Sequence, residues 1–128
     1  MPDPRFSVVV PAYNVERYIE ECLDSISAQG RDDVEVVVVD DGSTDSTSAI
    51  LERWAREQAF INLIRQSNKG LLAARRAGIA VTRGGYVLCV DGDDGLLPGA
   101  LDVLDGIIRE CAPDCITFSH TRRSGSLS

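Results

Sequence analysis

Short β-branched or apolar runs alternate along this chain with stretches of helical period, and that alternation limits the fold more than any other property of the sequence. Residues 6–10 (FSVVV) read as a first strand, stopped by Pro11. Val15, Tyr18, Ile19, Cys22, Leu23 and Ile26 then fall on one stripe of a helix, with Asn14 as its cap, an end near Gln29 and Gly30 as its stop. Residues 34–39 (VEVVVV) suit a central parallel strand buried on both faces. After DDG at 40–42, the cluster STDST at 43–47 opens a second helix carrying Ala49, Ile50, Trp54 and Ala55, with Asp45 read as a cap. Residues 60–64 form a third strand, 67–70 a loop, and 71 to about 81 a third helix. A fourth strand at 86–90 feeds the loop DGDDG at 91–95. Pro98 suits the first turn of a fourth helix, with Leu101, Leu104, Ile107, Ile108 and Cys111 on one face. Residues 116–118 read as a fifth strand, and 121–128 as a polar tail. The expected fold class is therefore α/β: three layers, α/β/α, around a mostly parallel sheet.

Composition narrows the function. With 128 residues there is room for one domain with a real core. A net charge of −7 argues against a nucleic-acid partner, which calls for a basic face. No apolar run approaches the roughly 20 residues that span a bilayer, and the N-terminus lacks a signal-peptide layout, so a cytoplasmic chain without a membrane segment is expected. Cys22, Cys89, Cys111 and Cys115 form no C-x-x-C pair; buried, reduced thiols are expected, with neither a disulfide framework nor a zinc site.

Ligands of parallel α/β sheets bind outside the carboxyl ends of the strands, where strand order reverses. Three polar loops follow strands 1, 2 and 4: Pro11-Ala12-Tyr13-Asn14, Asp40-Asp41-Gly42-Ser43 and Asp91-Gly92-Asp93-Asp94. Asp91, Asp93 and Asp94 lie within four residues. A pair of carboxylates at about 4 Å repels by roughly 4 kcal/mol at an effective dielectric of 20. A hard divalent cation, Mg2+ or Mn2+, relieves that repulsion and completes its shell with substrate phosphates and water. D-x-D alone is a weak metal signal; its place at a strand end beside two other polar loops strengthens it. Neither G-x-G-x-x-G nor G-x-x-x-x-G-K-[ST] is present, so a diphosphate here would be held through metal and not by a glycine cradle.

Taken together, FSVVVPAYN, VVVVDDGSTDST, NKGLLAARRAGI and GGYVLCVDGDD resemble the nucleotide-binding half of family-2 glycosyltransferases of the Rossmann-like GT-A fold, over about residues 6–110. The resemblance implies transfer of a sugar from a UDP- or dTDP-type nucleotide-diphosphate sugar to an acceptor hydroxyl, with inversion and metal dependence. It assigns Pro11, Ala12, Tyr13 and Asn14 to the nucleoside pocket, with Tyr13 on the base. Asp41 bonds the pyrimidine and Asp40 supports it. Asp91 lies near ribose and sugar, Asp93 is the metal ligand at the diphosphate, Asp94 assists, and Arg75 lies near the donor. Lys69 and Gly70 match the loop over the nucleotide, though Lys69 also reads as a solvated side chain. Arg76 stands where the family usually has asparagine.

In such enzymes a carboxylate deprotonates the acceptor from the later half of the protein. That base is expected beyond residue 128, and His120 reads as a polar terminus. Residues 1–120 would then be the donor-binding part of a longer transferase whose acceptor-binding half is absent, and this piece alone would be inactive. Membrane association of such parents, at the cytoplasmic face, is common in the family, and cell-wall or polysaccharide synthesis is a common setting. The alternative from another class is a non-catalytic nucleotide-binding or interaction module. A phospho-acceptor receiver domain fits poorly, because PAYN stands where it needs acids and no lysine follows the fifth strand.

Overall fold

Four of the apolar runs assemble into one parallel sheet. A computed structural model describes residues 3–114. Its elements are β1 (Phe6–Ala12), α1 (Ile19–Ser27), β2 (Val34–Asp40), α2 (Thr47–Glu57), β3 (Ile61–Arg65), α3 (Leu71–Ile79), β4 (Tyr86–Cys89) and α4 (Ala100–Cys111). The sheet order is β3-β2-β1-β4. The chain steps outward from β1 through β2 to β3 and then crosses to the other side of β1, so strand order reverses between β1 and β4. Register runs from Phe6↔Val34 to Ala12↔Asp40 on one side of β1 and from Phe6↔Tyr86 to Val9↔Cys89 on the other.

β1 and β2 carry unbroken valine runs because both faces of those runs are covered. On one face Val8, Val10, Val36 and Val38 pack with Ile19, Cys22, Leu23 and Ile26 of α1 and with Leu51 and Trp54 of α2. On the other, Val9, Val37 and Val39 pack with Ala74 of α3. Gly78 sets how close α3 comes, since a Cβ there would lie 2.4 Å from Val9 Cγ1. The α/β/α layering expected from the alternation is thus present.

Two compact units divide the chain, Met1–Pro98 and Gly99–Ser128. In the second, α4 starts after Gly99 (φ 77°) and ends at Ala112 (φ 44°), with Leu101, Asp105 and Ile108 buried. That stripe corrects the expected face: Ile107 and Cys111 are exposed. Ile107 lies more than about 100° around the helix from the 101–105–108 line, too far to share it. Pro98 precedes the helix instead of lying in its first turn.

Further expectations are corrected. β1 runs through Pro11 to Ala12. The Pro11 carbonyl accepts the Gly92 N–H at 3.0 Å, on the β4 side. Its missing N–H therefore falls where the ladder with β4 has ended, at Val9↔Cys89. Asn14 does not cap α1, which begins at Ile19; residues 15–18 form a turn first, with Val15 C=O accepting from the Tyr18 and Ile19 N–H groups. β4 is an edge strand among the described residues, so Val87 and Cys89 are exposed and only Cys22 of the described cysteines is buried. Cys115, the expected fifth strand at 116–118, His120 and the tail lie outside the described residues.

Candidate functional site

β1, β2 and β4 deliver their loops to the carboxyl edge of the sheet, and the first two loops are bonded to each other. Asn14 adopts a left-handed backbone (φ 51°). Its N–H donates to Ser43 Oγ (3.1 Å) and its amide nitrogen to Thr44 Oγ1 (3.2 Å). Its Oδ1 accepts from the N–H groups of Thr44 (2.8 Å) and Asp45 (3.3 Å). Val15 N–H donates to Thr47 Oγ1 at 2.9 Å. Asn14 is thus a clasp between loops. Pro11 and Ala12 are buried in β1 and offer carbonyls, that of Ala12 accepting from Asp41 N–H at 2.9 Å. Tyr13 is exposed at the strand end.

The two carboxylates after β2 are buried and well supplied with donors. Asp40 accepts from Ser43 N–H (3.0 Å) and from the Ser48 hydroxyl, joining its loop to α2. Asp41 accepts from the Gln66 amide (2.9 Å), Lys69 N–H (2.8 Å) and Gly70 N–H (3.0 Å). Burial alone would raise the Asp41 pKa, but those three bonds and the Lys69 charge outweigh it and hold the carboxyl below its ordinary value. Three of a carboxylate's roughly four acceptor positions are then filled. Asp45 is not the cap itself, which is Ser46; from one residue earlier it accepts from Thr47 N–H at 2.8 Å and so satisfies the first N–H of α2.

The loop after β4 is differently built. Carboxylate oxygens of Asp91, Asp93 and Asp94 lie within 4.8 Å of one another, Asp91 partly buried and the other two exposed. Gly92 lets this loop lie against β1 and α1, because a Cβ there would be 3.0 Å from Val15 Cγ2 and 3.2 Å from Pro11 O. Arg75, on α3, donates to Asp91 Oδ1 at 3.0 Å, while its Nε is buried without an acceptor. Behind the loop, burial pushes the Cys22 thiol up to about 12, with help from the charges of Asp94, Asp93 and Asp91. The Cys22 S–H donates to Asp91 C=O at 3.7 Å.

The structure thus gathers Asp91, Asp93, Asp94 and Arg75 in one cluster, and Asp41 with the Lys69–Gly70 backbone in another. Asp40 and Asn14 have their side chains committed to the scaffold. Sequence reasoning placed Ser43 and Thr44 in the loop and helix-opening cluster after β2 without a site role and passed over Gln66, which directly follows β3, so the strand-end rule applied to all four strands would have found it. An all-oxygen set of three neighbouring carboxylates suits a hard divalent cation such as Mg2+ or Mn2+.

The family model described as "Glycosyl transferase family 2" matches residues 7–127. A relative, the "Uncharacterized glycosyltransferase EpsJ" of Bacillus subtilis (strain 168), is 47% identical over 91 residues, which is 71% of this chain and 26% of that protein. The crystal structure of S. aureus TarS 1-349 in complex with UDP-GlcNAc superposes with a TM-score of 0.77 at 36% identity, covering 83% of this chain and 31% of that one. The mannosyltransferase PcManGT from Pyrobaculum calidifontis, in complex with GDP-Man and Mn2+, has a TM-score of 0.73 at 34% identity, covering 89% and 34%. The chain thus spans about a quarter to a third of the length of these proteins. The sheet and its helices match the GT-A fold of these neighbours.

Proposed function

Because the chain belongs to glycosyl transferase family 2, we propose that it is the nucleotide-sugar-binding part of a longer glycosyltransferase, one that passes a sugar from a UDP- or dTDP-type donor to an acceptor hydroxyl with inversion. The observation that carries this reading is the gathering of three carboxylates within 4.8 Å at the end of β4, beside the strand-order reversal. That a solved TarS structure holds UDP-GlcNAc and the PcManGT structure holds GDP-Man with Mn2+ supports it.

Each residue has a task in this reading. Asp93, with Asp91 and Asp94, would hold Mg2+ or Mn2+. When bound, the cation offsets negative charge on a departing diphosphate. Arg75 fixes the Asp91 carboxylate. Tyr13 offers an exposed ring for a base to stack on. Asp41 keeps one acceptor position for a pyrimidine N–H while ordering the Lys69–Gly70 loop that passes over the nucleotide. Asp40 and Asn14 hold those loops in place. The general base that deprotonates the acceptor belongs to a part of the protein outside these residues.

Titrating UDP into the 128-residue chain with and without Mn2+ tests the proposal. Clear tightening by Mn2+ is expected; equal affinities, or none, would remove its foundation.

A further inference from the structure

α1 carries a row of polar groups on its otherwise apolar buried side. Cys22 and Ser25, three residues apart, line one face of α1, and Gln29 follows on the turn just past its end. All three reach the segment that follows β4. Cys22 S–H donates to Asp91 C=O at 3.7 Å. Ser25 Oγ accepts from Leu96 N–H at 2.9 Å while its own proton goes to Cys22 C=O at 2.6 Å. The Gln29 amide donates to Leu97 C=O at 3.0 Å and to Ser25 C=O at 3.1 Å, although the residue is only 9% exposed. Two glycines flank Asp93 and Asp94 and lie flush against the same helix. A Cβ on Gly95 would be 2.9 Å from Ser25 Oγ, and one on Gly92 would be 3.3 Å from Ile19 Cδ1.

A polar row on a buried helix face needs a reason, because leucine or alanine would pack there without requiring partners. Here every member makes a hydrogen bond to one short segment, at its first residue and again just past the acids. The exposed carboxylates between those anchor points are thereby held close together despite their repulsion. We propose that Cys22, Ser25 and Gln29 are positioning residues for the acid loop: they fix where Asp91, Asp93 and Asp94 present their oxygens and so set how tightly a divalent cation is held. This rests on the donor-site reading above, and it adds a row of residues on a different element that touches neither cation nor nucleotide.

The test compares the native chain with Ser25→Ala and with Gln29→Met, which keeps the length and drops the donor. UDP affinity is measured with and without Mn2+, with amide hydrogen exchange at Leu96 and Gly95 alongside. Partners that merely orient metal ligands are worth roughly 10–100-fold in metal affinity. The expected result is therefore a loss of about tenfold in the Mn2+-dependent tightening, unchanged affinity without metal, and faster exchange at Leu96 in both folded variants. Tightening that survives intact in either folded variant overturns the proposal. So does a loss equal with and without metal, which marks a general loosening. A native chain that shows no Mn2+-dependent tightening fails the donor-site reading itself, and this inference falls with it.

Discussion

The loops after β2 and β4 both carry clustered aspartates, yet they handle the charge in opposite ways. Asp40, Asp41 and Asp45 are surrounded by donors from their own chain: Ser43, Ser48, Gln66, Lys69, Gly70 and Thr47. Asp91, Asp93 and Asp94 are mostly exposed and face one another, with Arg75 bonded to Asp91. An acid that is buried and supplied with donors is first of all part of the scaffold, even where, as at Asp41, one acceptor position is left over. In the proposed function, the acids crowded at the surface serve a cation that arrives from outside. Residue type is identical in the two loops; the supply of N–H and O–H donors separates them.

The largest effect that would sharpen this contrast is Asp93→Ala. It should cut Mn2+-dependent UDP binding by roughly 100-fold, about 2.7 kcal/mol, in a calorimetric titration, while leaving the thermal midpoint unchanged or slightly raised. Asp41→Ala should do the reverse in kind. Stranding the Gln66 amide and two backbone N–H groups should cost about 2 kcal/mol in urea unfolding, and nucleoside affinity should fall whether or not metal is present. If the two variants behaved alike, the division between scaffold and ligand acids would be wrong.

Acid provides a third handle. Burial would raise the pKa values of Asp41, Asp45 and Glu35, but hydrogen bonds outweigh it and lower them: Gln66, Lys69 and Gly70 to Asp41, Thr47 to Asp45, Ser7 and Arg83 to Glu35. On acidification the unfolded chain therefore takes up protons first. The stability these groups contribute is complete above the ordinary carboxylate range and is lost below about pH 4, as pH falls through the lowered folded values. Urea midpoints measured from pH 6 to pH 2 should drop in that window, and Asp41→Asn should flatten the drop. The smallest effect belongs to Lys69→Ala, because the backbone N–H of Lys69, and not its ammonium, bonds Asp41. Unfolding free energy should move by less than about 0.5 kcal/mol, and a larger change would mean the side chain anchors the loop.

Much of the sheet was legible because periodicity reports burial. The unbroken valines of β2 read as a strand covered on both sides, and it is; those of β1 read as a strand, and the structure covers it on both sides as well. The reading failed where neighbours decide. Cys89 looks as apolar as Val9, but it lies on an edge strand. Pro11 looks like a stop, yet its missing donor falls on the side where no rung is needed. Asn14 has the chemistry of a helix cap, and its left-handed backbone spends that chemistry on the loop after β2. In the site, the acids were visible as residue types. Their division of labour was not, because it depends on Gln66 and the Lys69 and Gly70 backbone, which are distant from Asp41 in sequence.

The central place of β1 makes insertions unequal. Both candidate loops spring from strands zipped directly to it, and the final rung on one side is Gly92 N–H to Pro11 C=O. A single added residue between Tyr86 and Asp91 would slide the acids by about 3.3 Å and swap which side of the sheet each following side chain meets. The turn between α2 and β3 answers to no such gauge. Length variation among natural variants of this chain should therefore collect there and avoid the five positions that lead into Asp91.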